Sequence, residues 1–288
     1  MINLNTQVRR AAAQDHYQLA NLLFNESHTH RHLDWRSALE WIGSQNFWVF
    51  DEHGFISAAF ACPEDPPNVA WIRLFSYHPH LQLRDAWSAL WETAQAQIFQ
   101  NNPSAKVSTI IIKPWFQETL LQNGFEEKQN IALLRLRIEN FKPFSNSQHV
   151  HIRRMTELDL PFVADVDFKA FGAFWHNSLD SIKRAYAQSV HATIVENESG
   201  EMIAYQLSTG NRFGAHLARL AVSPEAQGRG IASALVSELI QNLNANQISN
   251  LSVNTQEDNF ASLALYKKMG FTKTGEYFPV LMYEQSVV

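Results

Sequence analysis

The chain repeats itself once, and that repeat limits what any single stretch of it can build. Val8-Arg9-Arg10 followed by Asp15 returns as Ile152-Arg153-Arg154 followed by Asp159, 144 positions later in both cases. Gln122-Asn123-Gly124-Phe125 returns as Lys268-Met269-Gly270-Phe271 at a spacing of 146, and between these His78-Pro79 aligns with Ser223-Pro224. A spacing of half the 288 residues reads as a tandem duplication. Both copies run from a short strand into a helix capped near the Asp. The expected division is a first domain over 1–140, a linker over 141–148 and a second domain over 149–288. The linker assignment rests on Phe141-Lys142-Pro143-Phe144-Ser145-Asn146-Ser147, which carries turn residues and little periodicity.

Each half reads as a strand and two helices, three strands, a long helix, a strand, a helix and two closing strands. In the first half the strands include 47–50, 57–61, 69–75, 107–112 and 131–138. In the second they include 192–195, 202–209, 216–222, 248–253 and 280–283. Strands and helices in this order predict an α/β (α+β) fold, a mixed twisted sheet flanked by helices, built twice.

Hydrophobic residues make up 45% and charged residues 18% of the chain, enough apolar material for full cores in a soluble globular protein. The net charge of −5 argues against general affinity for nucleic acid or anionic membrane. No apolar run approaches a membrane span, and Met1-Ile2-Asn3-Leu4-Asn5 has no signal-peptide pattern, so the expected location is cytoplasmic. The single cysteine, Cys62, rules out an intrachain disulfide and, before Pro63 at the end of an apolar run, is expected to be buried.

Chemistry concentrates in the second half. An apolar run ends in Leu220-Ala221-Val222, then Ser223-Pro224-Glu225-Ala226-Gln227-Gly228-Arg229-Gly230 leads into a helical pattern at Ile231-Ala232. Glycine admits backbone conformations closed to other residues and lets a ligand approach the main chain. A helix starting there aims unpaired N–H groups and its positive dipole end into the same space, which makes a pocket for a phosphate. Arg229 either adds charge or lies in solvent. The segment is neither the dinucleotide glycine pattern nor a P-loop, because no Gly-Lys-Ser/Thr follows. Two glycines alone also suit a plain strand–turn–helix connection. Downstream, Asn254-Thr255-Gln256-Glu257-Asp258-Asn259 precedes a helix with Leu263 four residues before Lys267 and Leu265 four before Met269. Gly270 stands at the expected C-cap, and Phe271 opens the next strand.

The order Val-x-Pro-x-x-Gln-Gly-x-Gly-x-Ala after an apolar strand closely resembles the acyl-CoA signature of the GNAT acyltransferase superfamily. Asn259, Tyr266, Gly270 and Phe271 fall on that family's Asn-x-x-Ala-x-x-x-Tyr-x-x-x-Gly-Phe pattern, with Ser262 in place of the usual Ala. The two motifs stand in the family's order, and the two-domain layout is similar to that of mycothiol synthase-like proteins. The resemblance implies direct acyl transfer from acyl-CoA, usually acetyl-CoA as co-substrate, to an amine on a small molecule or peptide. It implies no metal, nucleic acid or membrane partner, and leaves the oligomeric state open.

The cofactor-binding residues it implies are Leu220, Ala221, Val222, Gln227, Gly228, Arg229, Gly230, Ile231, Ala232, Asn254, Asn259, Ser262 and Tyr266. Backbone groups of Leu220 and Val222 would pair with the pantetheine arm, the N–H groups from Gly228 to Ala232 would hold the pyrophosphate, and Asn259 would fix the arm from the other side. Tyr266 falls on the family's general acid, and its ordinary pKa near 10 suits donation to a thiolate. Packing against pantetheine is its other role. His216, on the strand leading to Val222, is the candidate base through a water, and a structural His is the alternative. Asn254 would orient a water without being a base. Glu196, Glu201 and Glu276 are further base candidates, though carboxylates near turns are usually solvated. Phe168, Phe171, Phe174, Trp175 and His176 form an aromatic run expected to be mostly core, in a segment that borders the acceptor site in the family. A non-catalytic acyl-CoA-binding or regulatory protein on the same fold is the alternative function.

The halves are unequal. Gln82-Leu83-Arg84-Asp85 stands where the second half has Gln227-Gly228-Arg229-Gly230, and the counterparts of Asn259 and Tyr266, near Lys113 and Leu120, are lost. Leu83 lacks glycine's freedom, and Asp85 would repel a phosphate. The first half is expected to be non-catalytic, either structural or a wall of the second half's substrate site. Its His28-Thr29-His30-Arg31-His32 reads as a solvated polar helix end, with a zinc site as the lesser alternative.

Overall fold

A computed structural model describes residues 6–141 and 151–285. In chain order the first half forms β1 (Thr6–Arg10), α1 (His16–Leu22), β2 (Thr29–Arg31), β3 (Phe47–Glu52), β4 (Phe55–Ala61), β5 (Val69–Trp71), β6 (Leu74–Tyr77), α2 (Leu83–Asn101), β7 (Lys106–Ile110), α3 (Pro114–Gln122) and β8 (Glu126–Arg137). The second forms β9 (Ile152–Arg154), α4 (Leu160–Trp175), α5 (Leu179–Ala187), β10 (His191–Glu196), β11 (Met202–Asn211), β12 (Gly214–Val222), α6 (Ile231–Ala245), β13 (Asn250–Gln256), α7 (Phe260–Lys268) and β14 (Thr272–Glu284). The fold is the mixed α/β architecture expected, with three local differences. The first half has no second helix before its strands, because His- and Trp-rich sequence there forms 3-10 turns and β2. The expected strand 69–75 breaks into β5 and β6. Each half also closes with one long strand, β8 or β14, where two were expected.

The chain divides into two compact units that are cut differently from the sequence halves. One holds the described residues up to Lys128 together with those from Pro279 on, and the other holds Gln129–Phe278. Each half thus gives most or part of its closing strand to the other unit. In the first unit β1-β3-β4-β6-β2 form one ordered set of strands and β5-β7-β14 another. In the second unit β8, β13, β12, β11, β10 and β9 lie side by side in that order. All but one of these pairs are antiparallel; β12 and β13 run parallel. The expected linker 141–148 lies, except for Phe141, outside the described residues.

Apolar periodicity accounts for the layers. In the second unit, Leu217, Leu251 and Val253 of the strands pack against Val236, Leu239, Ile240 and Leu243 of α6 and against Tyr266 and Met269 around α7. In the first, Trp87, Leu90, Trp91 and Ile98 recur along α2 at helical spacing and meet Phe60, Phe75 and Ile72. Cys62 is buried there, and burial pushes its thiol up. No helix among the described residues is long and apolar enough to cross a membrane.

The repeated Arg–Asp pairs form the same clamp in both units. Arg9 meets Asp15 through two hydrogen bonds, Nη1 to Oδ2 at 2.7 Å and Nη2 to Oδ1 at 2.9 Å, and its Nε donates to Asp51 at 2.8 Å. Arg153 meets Asp159 with both bonds at 2.8 Å and also donates to Glu196 at 2.5 Å. Asp159 Oδ2 accepts from the backbone N–H of Thr156 at 2.7 Å as well, so one carboxylate caps the coming helix and ties it to the first strand. The Arg153 bonds, against the cost of burial and with help from Thr156, hold Asp159 down at about 2, below its ordinary 3.8. A depressed carboxylate stabilises the fold above its unfolded pKa and loses that contribution as the pH falls from 3.8 toward about 2. Asp159→Asn should therefore destabilise the second unit by about 2 kcal/mol at pH 7. Urea unfolding should show the gap to wild type shrinking as the pH drops below 4.

Candidate active site

The site begins where two parallel strands part. β12 and β13 pair at Ala215–Leu251, His216–Ser252 and Leu217–Val253, and the pairing ends there. β12 continues along β11, with a bulge at Ala218, and β13 continues along β8. The backbone beyond the bulge has one free side. Ser223 N–H donates to Ile203 O of β11 at 2.8 Å. Because strand groups alternate, Leu220 and Val222 turn theirs the other way, toward the gap that β13 has left. The Val222 carbonyl is engaged by the Gln227 side-chain amide at 3.0 Å. The Leu220 groups and the Val222 N–H face the opening.

The glycine segment closes one end of that opening. Gly228 has φ +74° and Gly230 φ +78°, both left-handed, and Gly230 is the N-cap of α6. A side chain at either position is strained by about 1–2 kcal/mol. A Cβ at Gly228 would meet nothing within 4 Å, so the position needs glycine for its backbone angle and leaves open space above the chain. Arg229 is exposed, and its guanidinium donates to the Glu225 carbonyl at 3.0 Å. Ile231 is buried against Val222 and Leu235, and Ala232 packs beside it, which sets the axis of α6.

The other sequence-derived candidates divide between the two faces of the sheet. Tyr266 is buried in the cluster that holds Leu217 and Val253, the last paired residues, with its ring 5.4 Å from Phe271. Burial pushes its phenol well up, so it keeps its proton throughout the physiological range. His216 projects to the opposite face, where Nδ1 lies 2.9 Å from Ser252 Oγ. Burial lowers its pKa, and the imidazole is neutral at pH 7. Asn254 follows Ser252 on that face by strand alternation. Its Oδ1 is buried with no partner, and such an acceptor costs about 1–3 kcal/mol until a donor reaches it. Asn259 caps α7, accepting from the Ser262 N–H at 3.0 Å. Of the carboxylates weighed as bases, Glu196 is committed to Arg153 and Glu276 stands 3.7 Å from Arg135. Glu201 is exposed, accepting from the Asn197 amide at 3.3 Å.

Sequence reasoning missed the group that anchors the wall beside the opening. Asp167 of α4 is fully buried and accepts from Arg219 Nε at 2.7 Å, Arg219 Nη2 at 2.8 Å and Tyr205 Oη at 2.5 Å. It also accepts from the Asn177 N–H at 2.7 Å. Arg219 Nη2 reaches the Trp175 carbonyl at 2.6 Å, and its guanidinium lies 3.6 Å from the Phe171 ring centroid. Burial works against the Arg219 charge, but Asp167 more than restores it and the pKa rises. The chain breaks helical geometry at Gly172, φ +69°, and this network fixes the bent segment to β12 just before Leu220. The signal was an Asp on the apolar stripe Leu160, Val163, Asp167. The aromatic run, expected to be mostly core, is not: Phe168 is exposed, and Phe171, Phe174, Trp175 and His176 are half-buried.

The corresponding place in the first half is filled by the chain itself. β5 pairs in parallel with β7 up to Trp71–Ser108, and β6, aligned with Arg219–Val222, then diverges as β12 does. On its free side lies β2, paired as Thr29–Ser76, His30–Phe75 and Arg31–Leu74. His30 is fully buried, its Nε2 3.0 Å from Thr109 Oγ1 of β7, and burial with Lys113 nearby brings its pKa down to about 3. The histidine run is therefore not a solvated helix end but a strand. Among the described residues no group of three or more His, Cys, Asp or Glu is placed to hold a metal. Nor is Leu83 strained: without glycine the loop is absorbed into α2, which starts at Leu83 with Asp85 in its first turn.

Comparison with known proteins agrees with this geometry. Residues 160–271 match the Acetyltransferase (GNAT) family. The rat (Rattus norvegicus) N-acetyltransferase 8B is 29% identical over 115 residues, 38% of this chain and 52% of that protein, so the match spans about half the relative's length. Among solved structures, a GCN5-related N-acetyltransferase from Sphaerobacter thermophilus superposes with a TM-score of 0.63 at 14% identity, covering 99% of this chain and 97% of that one. A tandem GNAT protein from the clavulanic acid biosynthesis pathway gives 0.61 at 14% identity, covering 99% and 100%. The family match thus lies in the second half, and over nearly its whole length the chain shares the tandem GNAT fold of these solved structures.

Proposed function

We propose that the second half is an N-acyltransferase that moves an acyl group, with acetyl-CoA as the donor, directly to a primary amine. The observation that carries this reading is the pair of Leu220 backbone groups and the Val222 N–H, facing a gap between parted strands with the Gly228–Gly230 loop at its end. An arm bearing amide groups would complete the broken ladder on β12, and a pyrophosphate would take the N–H groups opening α6. Asn254 Oδ1 offers an acceptor to the same ligand. The thioester would then lie near Leu217 and Val253, between Tyr266 on one face and His216 on the other.

The residues divide the proton work accordingly. Neutral His216 accepts the proton that the amine releases as nitrogen attacks the thioester carbon, directly or through one water. The C–S bond breaks, and Tyr266, kept protonated by burial, donates to the departing thiolate. The Asp167–Arg219 network holds the bent α4 segment in place as a wall for the acceptor. A non-catalytic acyl-CoA-binding protein is the competing reading, favoured by the apolar packing of Tyr266, which needs no chemistry to explain it. Binding of acetyl-CoA without CoA release across a broad panel of amines would establish it.

Three outcomes test the proposal. Gly230→Asp, which copies the charge of the first half, should weaken acetyl-CoA binding at least about tenfold, or about 1.4 kcal/mol, by calorimetry. Tyr266→Phe should leave binding intact and lower turnover by about 10²- to 10⁴-fold, whereas wild-type turnover would reduce Tyr266 to packing. Titration of the whole chain should give one acetyl-CoA per chain, because β2 occupies the strand edge that a second molecule would need. A second site of similar affinity would contradict that account of the first half.

A further inference from the structure

Where the β11–β12 turn and the start of β13 meet the end of β8 lies a cavity of about 850 Å³ with His216 in its lining, within the range of small-molecule sites. Arg135 and Arg137 of β8, Asn211 at the β11–β12 turn, Asn250 and Ser252 of β13, and His216 itself contribute to its lining. No carboxylate of the described residues lines it. The nearest acids stand outside as loose partners, Glu276 at 3.7 Å from Arg135 and Glu139 at 3.7 Å from Arg137, all four side chains exposed. Exposed pairs at that distance are worth about 0–1 kcal/mol and exchange readily for a better anion.

We propose that the acceptor is a small amine carrying an anionic group, a carboxylate or phosphate, which Arg135 and Arg137 bind while the amine lies at His216. This deepens the acyltransferase reading and rests on it. A guanidinium pair suits a planar or tetrahedral oxyanion through paired hydrogen bonds. The same positive field has a second effect. It disfavours an ammonium in the cavity, so a bound amine is shifted toward the neutral form that can attack. A dication would meet repulsion at both ends.

The matched amines 4-aminobutanoate, butylamine and 1,4-diaminobutane separate these cases, with CoA release as the readout. The value of kcat/KM should be at least about tenfold higher for 4-aminobutanoate than for butylamine, lowest for the diamine, and the spread should narrow with added salt. The exposed-site double variant Arg135→Glu/Arg137→Glu should reverse the order. A second arm needs no turnover: calorimetry with 4-acetamidobutanoate and N-butylacetamide should show the acid bound at least about tenfold more tightly, and the double variant should lose that preference. Equal binding of the two amides, or an equal or diamine-favouring rate order, overturns the proposal. Tighter binding of the acid with no CoA release from any amine leaves the anion site standing and removes the acyltransferase reading instead.

Discussion

A sheet whose central strands part must find partners for the backbone groups it unpairs, and this fold answers that requirement in two ways. Each buried group left without a partner costs on the order of 1–3 kcal/mol, so a divergence of several residues cannot simply be tolerated inside a domain. In the second unit the edge of β12 beyond Leu217 stays open toward a space that a ligand can fill. In the first, β2 lies along the equivalent edge of β6, and His30 reaches Thr109 across it. One copy leaves this edge open; the other covers it with its own strand.

The same contrast governs the helix that follows. In the second unit left-handed glycines hold the chain off α6 until Ile231. In the first, the residues at those positions accept helical angles and α2 simply begins sooner. A difference of side chains at two positions thus goes with a different start of the helix. Substituting single glycines back into the first half would not reopen it while β2 stays in place.

Local patterns made the duplication, the strand order and the glycine loop legible in the sequence. Val-x-Pro-x-x-Gln-Gly-x-Gly-x-Ala is short, and each of its residues acts through its own backbone or its neighbours. What escaped were features made by pairing at a distance. Asp167 and Arg219 lie 52 residues apart and become a unit only when α4 folds onto β12. β2 was hidden because a histidine-rich stretch carries no clear period, and its place depends on an edge formed by residues 74–77. In β14, Gly275 and Pro279, residues that usually end strands, sit within one continuous run.

That last strand carries a consequence for how the molecule comes into being. β14 leaves the unit of residues 129–278 at Phe278 and supplies Val280–Glu284 to β7, in the unit that otherwise ends at Lys128. Ser108, in β7, donates its hydroxyl proton to the Leu281 carbonyl, a bond spanning 173 positions of sequence. During synthesis the amino-terminal unit therefore cannot acquire this strand until residues 280–284 have left the ribosome. Because the strand that completes this unit is made last, the earlier-made half must wait for the later one.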